Sequence, residues 1–174
     1  MKQGPSMPPI RVLFVCTGNS ARSVLAEATL NALGAGRFRA FSAGSRPTGR
    51  VNPLALRVLQ GHAIPTEELS SKSWDRFTET DGPALDVVVT VCDSAASEPC
   101  PVLFGDFVRT HWGLPDPAAV EGDDATRLQA FEKAFRTVSA RIRAFIELPL
   151  ESMPRSEWAA RLDAIGTLEA EAAA

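Results

Sequence analysis

Cysteine and histidine are scarce in this chain, with three and two among 174 residues. So few thiols cannot build the disulfide framework of a small secreted scaffold, and together they leave too little for a four-ligand zinc site. Basic residues are not in excess either: 18 Lys and Arg against 21 Asp and Glu give a net charge of −3. That balance lacks the basic footprint by which proteins hold nucleic acid. No apolar run approaches the ~18 residues that a membrane span needs. The opening stretch Met1-Lys2-Gln3-Gly4-Pro5-Ser6-Met7-Pro8-Pro9 has no apolar signal-peptide core and reads as a disordered lead-in. These absences lead to the expectation of a cytoplasmic protein with no bound metal. In a reducing compartment, three cysteines are better explained by reactivity than by structure.

What is present has the organisation of a single domain large enough to bury its own core. Ile10 to Val15 is a short, continuously apolar run, the pattern of a strand covered on both faces. Ser23 to Leu33 has helical spacing, Phe38 to Ala43 reads as a strand, and Asn52-Pro53 opens a helix that reaches Gly61. Asp86 to Val91 is the clearest buried strand, with a weaker one over Val108 to Trp112. From Asp123 or Asp124, apolar residues at 128, 131, 135, 138, 142 and 145 mark a long amphipathic helix. Strands alternating with helices predict an α/β fold, a three-layer αβα sandwich around a short parallel sheet, spanning 10–147. Residues 148–174 form a C-terminal extension in which Trp158, Leu162 and Ile165 predict one more helix. Its apolar stripe either packs on the domain or offers a dimer contact.

The first predicted strand runs directly into Cys16-Thr17-Gly18-Asn19-Ser20-Ala21-Arg22-Ser23. Short side chains between Cys16 and Arg22 allow the backbone to curl with its N–H groups inward, and the following helix adds its orphan donors and positive dipole end. A tetrahedral oxyanion fits such a cradle. Arg22 can fork two charge-assisted hydrogen bonds onto it. The same donors favour thiolate over thiol at Cys16, so a depressed pKa is expected there. Ser23 could add a hydrogen bond to that thiolate, and Asn19 could brace a left-handed turn of the loop. Ligand chemistry in parallel sheets gathers at the carboxyl ends of strands, where Cys16, Cys92 and the loop after Trp112 all fall.

A strand, then Cys-x5-Arg-Ser, then a helix resembles the low-molecular-weight tyrosine phosphatase family, and within it the cysteine-relay arsenate reductases. The stretch from Cys92 to Cys100 strengthens the second likeness. If the intervening residues were helical, the two Cα atoms would lie about 12 Å apart, beyond the roughly 4.4–6.8 Å of a disulfide. That segment must bend or unwind to join its thiols. The resemblance implies that Cys16 attacks arsenate, Cys92 attacks Cys16 as arsenite leaves, and Cys100 then attacks Cys92. It further implies a role in arsenic detoxification, with phosphate or sulfate as competing oxyanions. No cofactor is implied beyond an external thiol reductant, thioredoxin or glutaredoxin with glutathione.

Asp116 lies between two prolines in Trp112-Gly113-Leu114-Pro115-Asp116-Pro117 and resembles the general acid of the family. Ser42-Ala43-Gly44-Ser45 matches a second family loop that borders the first. Some relatives bind potassium beside the catalytic loop through residues that Asn19, Glu27 and Ser42 would match, but the remaining acidic ligand is not placed by the sequence near Ser70 to Asp75, and no ion is predicted. His111 reads as a strand histidine satisfied by backbone, and His62 as a helix-end residue. Two other functions stay open. Cys16, Arg22 and Asp116 suffice for a phosphatase, although Ala118-Ala119 follows the acid and the chain has no tyrosine to grip an aryl ring. A non-catalytic arsenite binder could use the three thiols, but it would leave Arg22 and Asp116 without a purpose.

Overall fold

The computed structural model describes residues 8–77, 84–92 and 107–169. Four strands, β1 (Ile10–Val15), β2 (Phe38–Ala43), β3 (Val87–Thr90) and β4 (Val108–His111), form one sheet in the order β2-β1-β3-β4. Every pairing is parallel, with Val15 opposite Ala43 on one side and Thr90 on the other. All four residues of β3 are buried, which requires cover on both faces, the three-layer arrangement predicted above. The chain leaves β1 for β2 in one direction and later runs from β3 to β4 in the other. The carboxyl ends of β1 and β3 therefore flank a topological switch point, the crevice where parallel sheets bind ligands.

Helix α1 (Arg22–Leu33) follows β1, and α2 (Pro53–Gly61) starts where the Asn52 side chain accepts from the Leu54 N–H at 2.9 Å. Helix α3 (Asp124–Glu147) is capped by Asp123, whose carboxylate accepts from the Thr126 N–H at 2.8 Å. One side of α3 buries Phe131 and Phe135 with Leu25 and Leu59 of α1 and α2. Ile142 and Phe145 enter the main core with Phe14, Phe38 and Trp112. Each such side chain contributes about 1.5–3 kcal/mol through burial.

The extension carries a further helix, α4 (Arg155–Ile165), whose Trp158, Leu162 and Ile165 are buried in the main core. The Trp112 indole N–H donates to the Leu162 carbonyl at 2.9 Å, and the Thr110 hydroxyl donates to Asp163 at 2.6 Å. This stripe is spent on the domain itself. The boundaries predicted from sequence hold to within one residue for α1, β3 and β4, where apolar periodicity fades into the loops.

Candidate active site

The loop from Cys16 to Ser23 is held from outside. The Thr17 carbonyl accepts from the Arg46 N–H at 3.0 Å, the Gly18 carbonyl from the Thr48 N–H at 3.0 Å, and the Ser20 carbonyl from the Asn52 N–H at 2.8 Å. In a trans peptide the N–H points opposite its carbonyl. Fixing these carbonyls outward therefore turns the N–H groups of Gly18, Asn19 and Ala21 inward. Asn19 is buried with φ of 45°, the left-handed turn expected of it. Its amide donates to Ser23 Oγ at 2.9 Å and its carbonyl accepts from the Lys72 N–H at 2.8 Å. The second loop fits only because residue 44 is glycine: a Cβ there would lie 2.4 Å from the Thr17 carbonyl oxygen and 2.6 Å from that of Cys16.

Cys16 and Cys92 are both buried thiols at adjacent strand ends. The Thr17 N–H points at Cys92 Sγ from 3.4 Å. The Cys16 pKa moves opposite to the direction expected from sequence. Its hydrogen bond to Cys92 and its burial push the thiol up, as does negative charge on Cys92. Arg22 and the Gly18 N–H pull it down, but by less. The error of the sequence expectation was to count the loop's donors and omit the second sulfur. Two touching thiols lose their protons as a pair, and the second proton leaves with difficulty. Ser23 Oγ accepts from the Asn19 amide, which leaves its hydroxyl hydrogen available to a thiolate at Cys16.

Arg22 opens α1 and joins the two halves of the site. Its Nη1 donates to the Leu114 carbonyl at 3.0 Å, and Nη2 lies 3.8 Å from Asp116 Oδ2. Its Nε is buried without a hydrogen-bond partner. Nε and Nη2 form the side-on edge of a guanidinium, the edge that a tetrahedral anion would take in exchange for the 3.8 Å contact with Asp116. Asp116 is partly exposed, and its Oδ1 caps the turn Pro117–Ala119 by accepting from the Ala118 N–H at 2.9 Å. A cleft of about 610 Å³ is lined by Arg22, Cys92, His111, Gly113 to Asp116 and Gly166. The site therefore brings together Cys16, Arg22, Cys92 and Asp116, with the 17–21 backbone as its cradle. Cys100 lies outside the described residues.

The sequence reading missed three supporting residues. Lys72 Nζ donates to the Ser70 carbonyl at 3.0 Å and lies 3.5 Å from both Glu27 Oε1 and Ser42 Oγ. Ser42 also donates to Glu27. Burial raises the Glu27 pKa, and the Lys72 ammonium and the Ser42 hydroxyl oppose that rise. An ammonium thus occupies the oxygen-lined place where an acidic ligand could not be found. Arg141, buried in α3, donates to the carbonyls of Trp112 and Gly113. Gly166 lines the cleft from the extension. None has a clear local sequence signal, because the contacts that matter reach distant residues: Lys72 to Glu27, Ser42 and Asn19, Arg141 to Trp112 and Gly113, and Gly166 to His111. His111 Nδ1 lies 2.7 Å from Thr90 Oγ1 on the neighbouring strand. His62 pairs with Glu132 at 3.0 Å and stacks on Phe135. Among the described residues, no group of three His, Cys, Asp or Glu could hold a metal ion, and no helix is long and apolar enough to cross a membrane.

A family model described as low molecular weight phosphotyrosine protein phosphatase matches residues 11–171. The arsenate reductase of Halalkalibacterium halodurans is 34% identical over 136 residues, 78% of this chain and 94% of its own length. Among solved structures, an arsenate reductase from Archaeoglobus fulgidus is 32% identical with a TM-score of 0.56, covering 76% of this chain and 98% of that one. A thioredoxin-dependent arsenate reductase of Corynebacterium glutamicum is 25% identical with a TM-score of 0.54, covering 78% of this chain and 63% of that one.

Proposed function

This chain belongs to the low molecular weight phosphotyrosine protein phosphatase family, and we propose that it acts there as an arsenate reductase whose thiol relay begins at Cys16. The carrying observation is the second sulfur: Cys92 is buried at the strand end beside Cys16, its Sγ 3.4 Å from the Thr17 N–H of the oxyanion loop. A phosphatase has no use for a thiol there. A reductase needs one within reach of its covalent intermediate.

Arsenate enters the cradle with its oxygens on the loop N–H groups and on the Nε and Nη2 edge of Arg22. Cys16 gives its proton to a bound arsenate oxygen as it attacks, and Arg22 and the Gly18 N–H favour the developing thiolate. Cys16 attacks arsenic, and one oxygen departs as water with a proton from Asp116. General-acid help of this kind is worth about 10²–10⁴-fold. The product is a thiol ester in which arsenic is still pentavalent. Cys92 then loses its proton to an arsenate oxygen and attacks the Cys16 sulfur, and the electron pair of the S–As bond stays with arsenic, which leaves as arsenite. Two thiols have been oxidised to one disulfide, and arsenic has gained two electrons. Cys100 attacks Cys92, restores Cys16 and leaves a Cys92–Cys100 disulfide for an external reductant. Thioredoxin is the reductant tested first, because a relative is named thioredoxin-dependent; glutaredoxin with glutathione is the other donor.

Phosphate and sulfate, with the same tetrahedral shape, compete for the cradle. Among the described residues, the cleft lining contains no Phe, Tyr or Trp to grip an aryl ring. That composition speaks against phosphotyrosine as substrate. The reaction belongs in the cytoplasm, where dithiol reductants are kept reduced. The test is arsenite formation from arsenate by wild type and by Cys92→Ser, with para-nitrophenyl phosphate hydrolysis as the control. Loss of arsenite with retention of ester hydrolysis in the variant supports the relay. Ester hydrolysis without arsenite in wild type would return the chain to the phosphatases.

A further inference from the structure

The loop that carries Asp116 is gripped at its root by two guanidinium groups from different helices. Three successive carbonyls are involved. Arg141 of α3 donates through Nη1 to Trp112 at 3.0 Å and Gly113 at 3.1 Å, and Arg22 of α1 donates to Leu114 at 3.0 Å. Beyond that root the loop stands between the cleft of about 610 Å³ and a second cavity of about 280 Å³ lined by residues 113–117, Lys133, Thr137, Arg141 and Glu169. Leu114 packs against both cores and Pro117 is buried, but Pro115 is exposed and Asp116 partly so between them, so the position of the acid depends on how the root on one side and the Pro117 turn on the other are held.

Arg141 is itself fixed by the C-terminal extension, because its Nε donates to the Leu168 carbonyl at 2.9 Å. The extension touches the same root elsewhere. Leu162 accepts from the Trp112 indole, and a Cβ on Gly166 would lie 2.6 Å from the His111 carbonyl oxygen and 2.9 Å from the Trp112 ring. Arg22 is the less dependable of the two anchors, since its Nε and Nη2 must serve the bound anion.

We propose that Arg141, latched by the carbonyl of Leu168, is a positioning residue that holds the Asp116 loop over the departing oxygen, so that residues 162–168 form a working part of the active site. The inference rests on the reading of Asp116 as the acid. A buried guanidinium suits this task because its rigid fork can hold two carbonyls on one side and a third from Nε, where an ammonium offers only a point charge. Burial lowers the Arg141 pKa, and the nearby Glu169 carboxylate opposes that change.

The test is a double-mutant cycle between Arg141→Met and Asp116→Asn in the full chain. Arsenite formation, hydrolysis of phenyl phosphate and of para-nitrophenyl phosphate, and equilibrium phosphate binding are measured for each variant. Phenolate is a poor leaving group that needs a proton, and para-nitrophenolate a good one that does not. Alone, Arg141→Met should lower arsenite formation and phenyl phosphate turnover by about tenfold, part of the range available to general acids. The para-nitrophenyl ester and phosphate affinity should change by less than about threefold, because the cradle is untouched. In the Asp116→Asn background the same substitution should cost less than about twofold, since the residue through which it acts is already gone. A chain ending at Thr167 removes the Leu168 carbonyl but keeps Trp158, Leu162 and Ile165, and should show the same pattern more weakly. It decides the matter if Arg141→Met does not fold.

Hydrogen exchange gives a readout independent of arsenate: amides of 114–120 should exchange faster in Arg141→Met, and those of 17–23 should not. An undiminished loss in the Asp116→Asn background, or equal losses for the two esters, would overturn the inference. If wild type forms no arsenite but hydrolyses esters, the reductase reading fails, and the ester cycle still decides the role of Arg141.

Discussion

The oxyanion loop and the acid loop are joined through Arg22 and are built in contrasting ways. In the first, the carbonyls of Thr17, Gly18 and Ser20 are tied to neighbouring backbone, Asn19 is buried, and Gly44 leaves no room for a side chain above it. In the second, Asp116 rides on a partly exposed turn held chiefly at its root by Arg22 and Arg141. A cradle for developing charge gains most from being preformed, because donors that need no reorganisation stabilise the transition state more. An acid must meet an oxygen that is leaving, and a hinged support allows that approach.

Removing the nucleophile separates binding from chemistry most sharply. Cys16→Ser should reduce both arsenite formation and ester hydrolysis by about 10³-fold or more while phosphate still binds, since the cradle is backbone. Steady-state rates and a phosphate-binding titration check both halves of that statement. Arg22→Lys should come next, because Arg22 is the one side chain that touches both loops. Loss of its fork should lower turnover by about 10²–10³-fold, the cost of a missing oxyanion donor, and weaken phosphate binding as well.

A smaller effect tests the thiol pair. Cys92 raises the Cys16 pKa through its hydrogen bond and its charge. Replacing it by alanine should therefore shift the pH profile of Cys16 alkylation toward lower pH, with faster alkylation at neutral pH. A profile displaced upward would mean that Cys92 had been assisting ionisation. Least of all, Asn52→Ala should cost about 1 kcal/mol by uncapping α2, or roughly 2–4 °C in Tm for a chain of this size. Turnover should not change, because the Asn52 backbone N–H that holds Ser20 is kept.

Much of this site could be read from the sequence because it is local. A buried strand, an unbroken run of small residues and a following helix are contiguous from Ile10 to Leu33, and their chemistry needs no distant partner to be recognised. Asn19 was legible for the same reason, its side chain being suited to a left-handed turn. The direction of the Cys16 pKa was not, since it depends on a sulfur 76 positions away that arrives only when β1 and β3 pair. Lys72, Arg141 and Gly166 belong to the same class. A lysine near a loop, an arginine in an amphipathic helix and a glycine after one are ordinary residues until folding sets them against Asn19, Trp112 and His111.

The central claim is that Cys92 completes the reaction Cys16 begins, and a single turnover of Cys100→Ser with arsenate and no added reductant tests it most directly. The account predicts one equivalent of arsenite and a Cys16–Cys92 disulfide, detected by mass spectrometry of the unreduced peptides. A protein that hydrolyses para-nitrophenyl phosphate under the same conditions but yields neither arsenite nor that disulfide would contradict it.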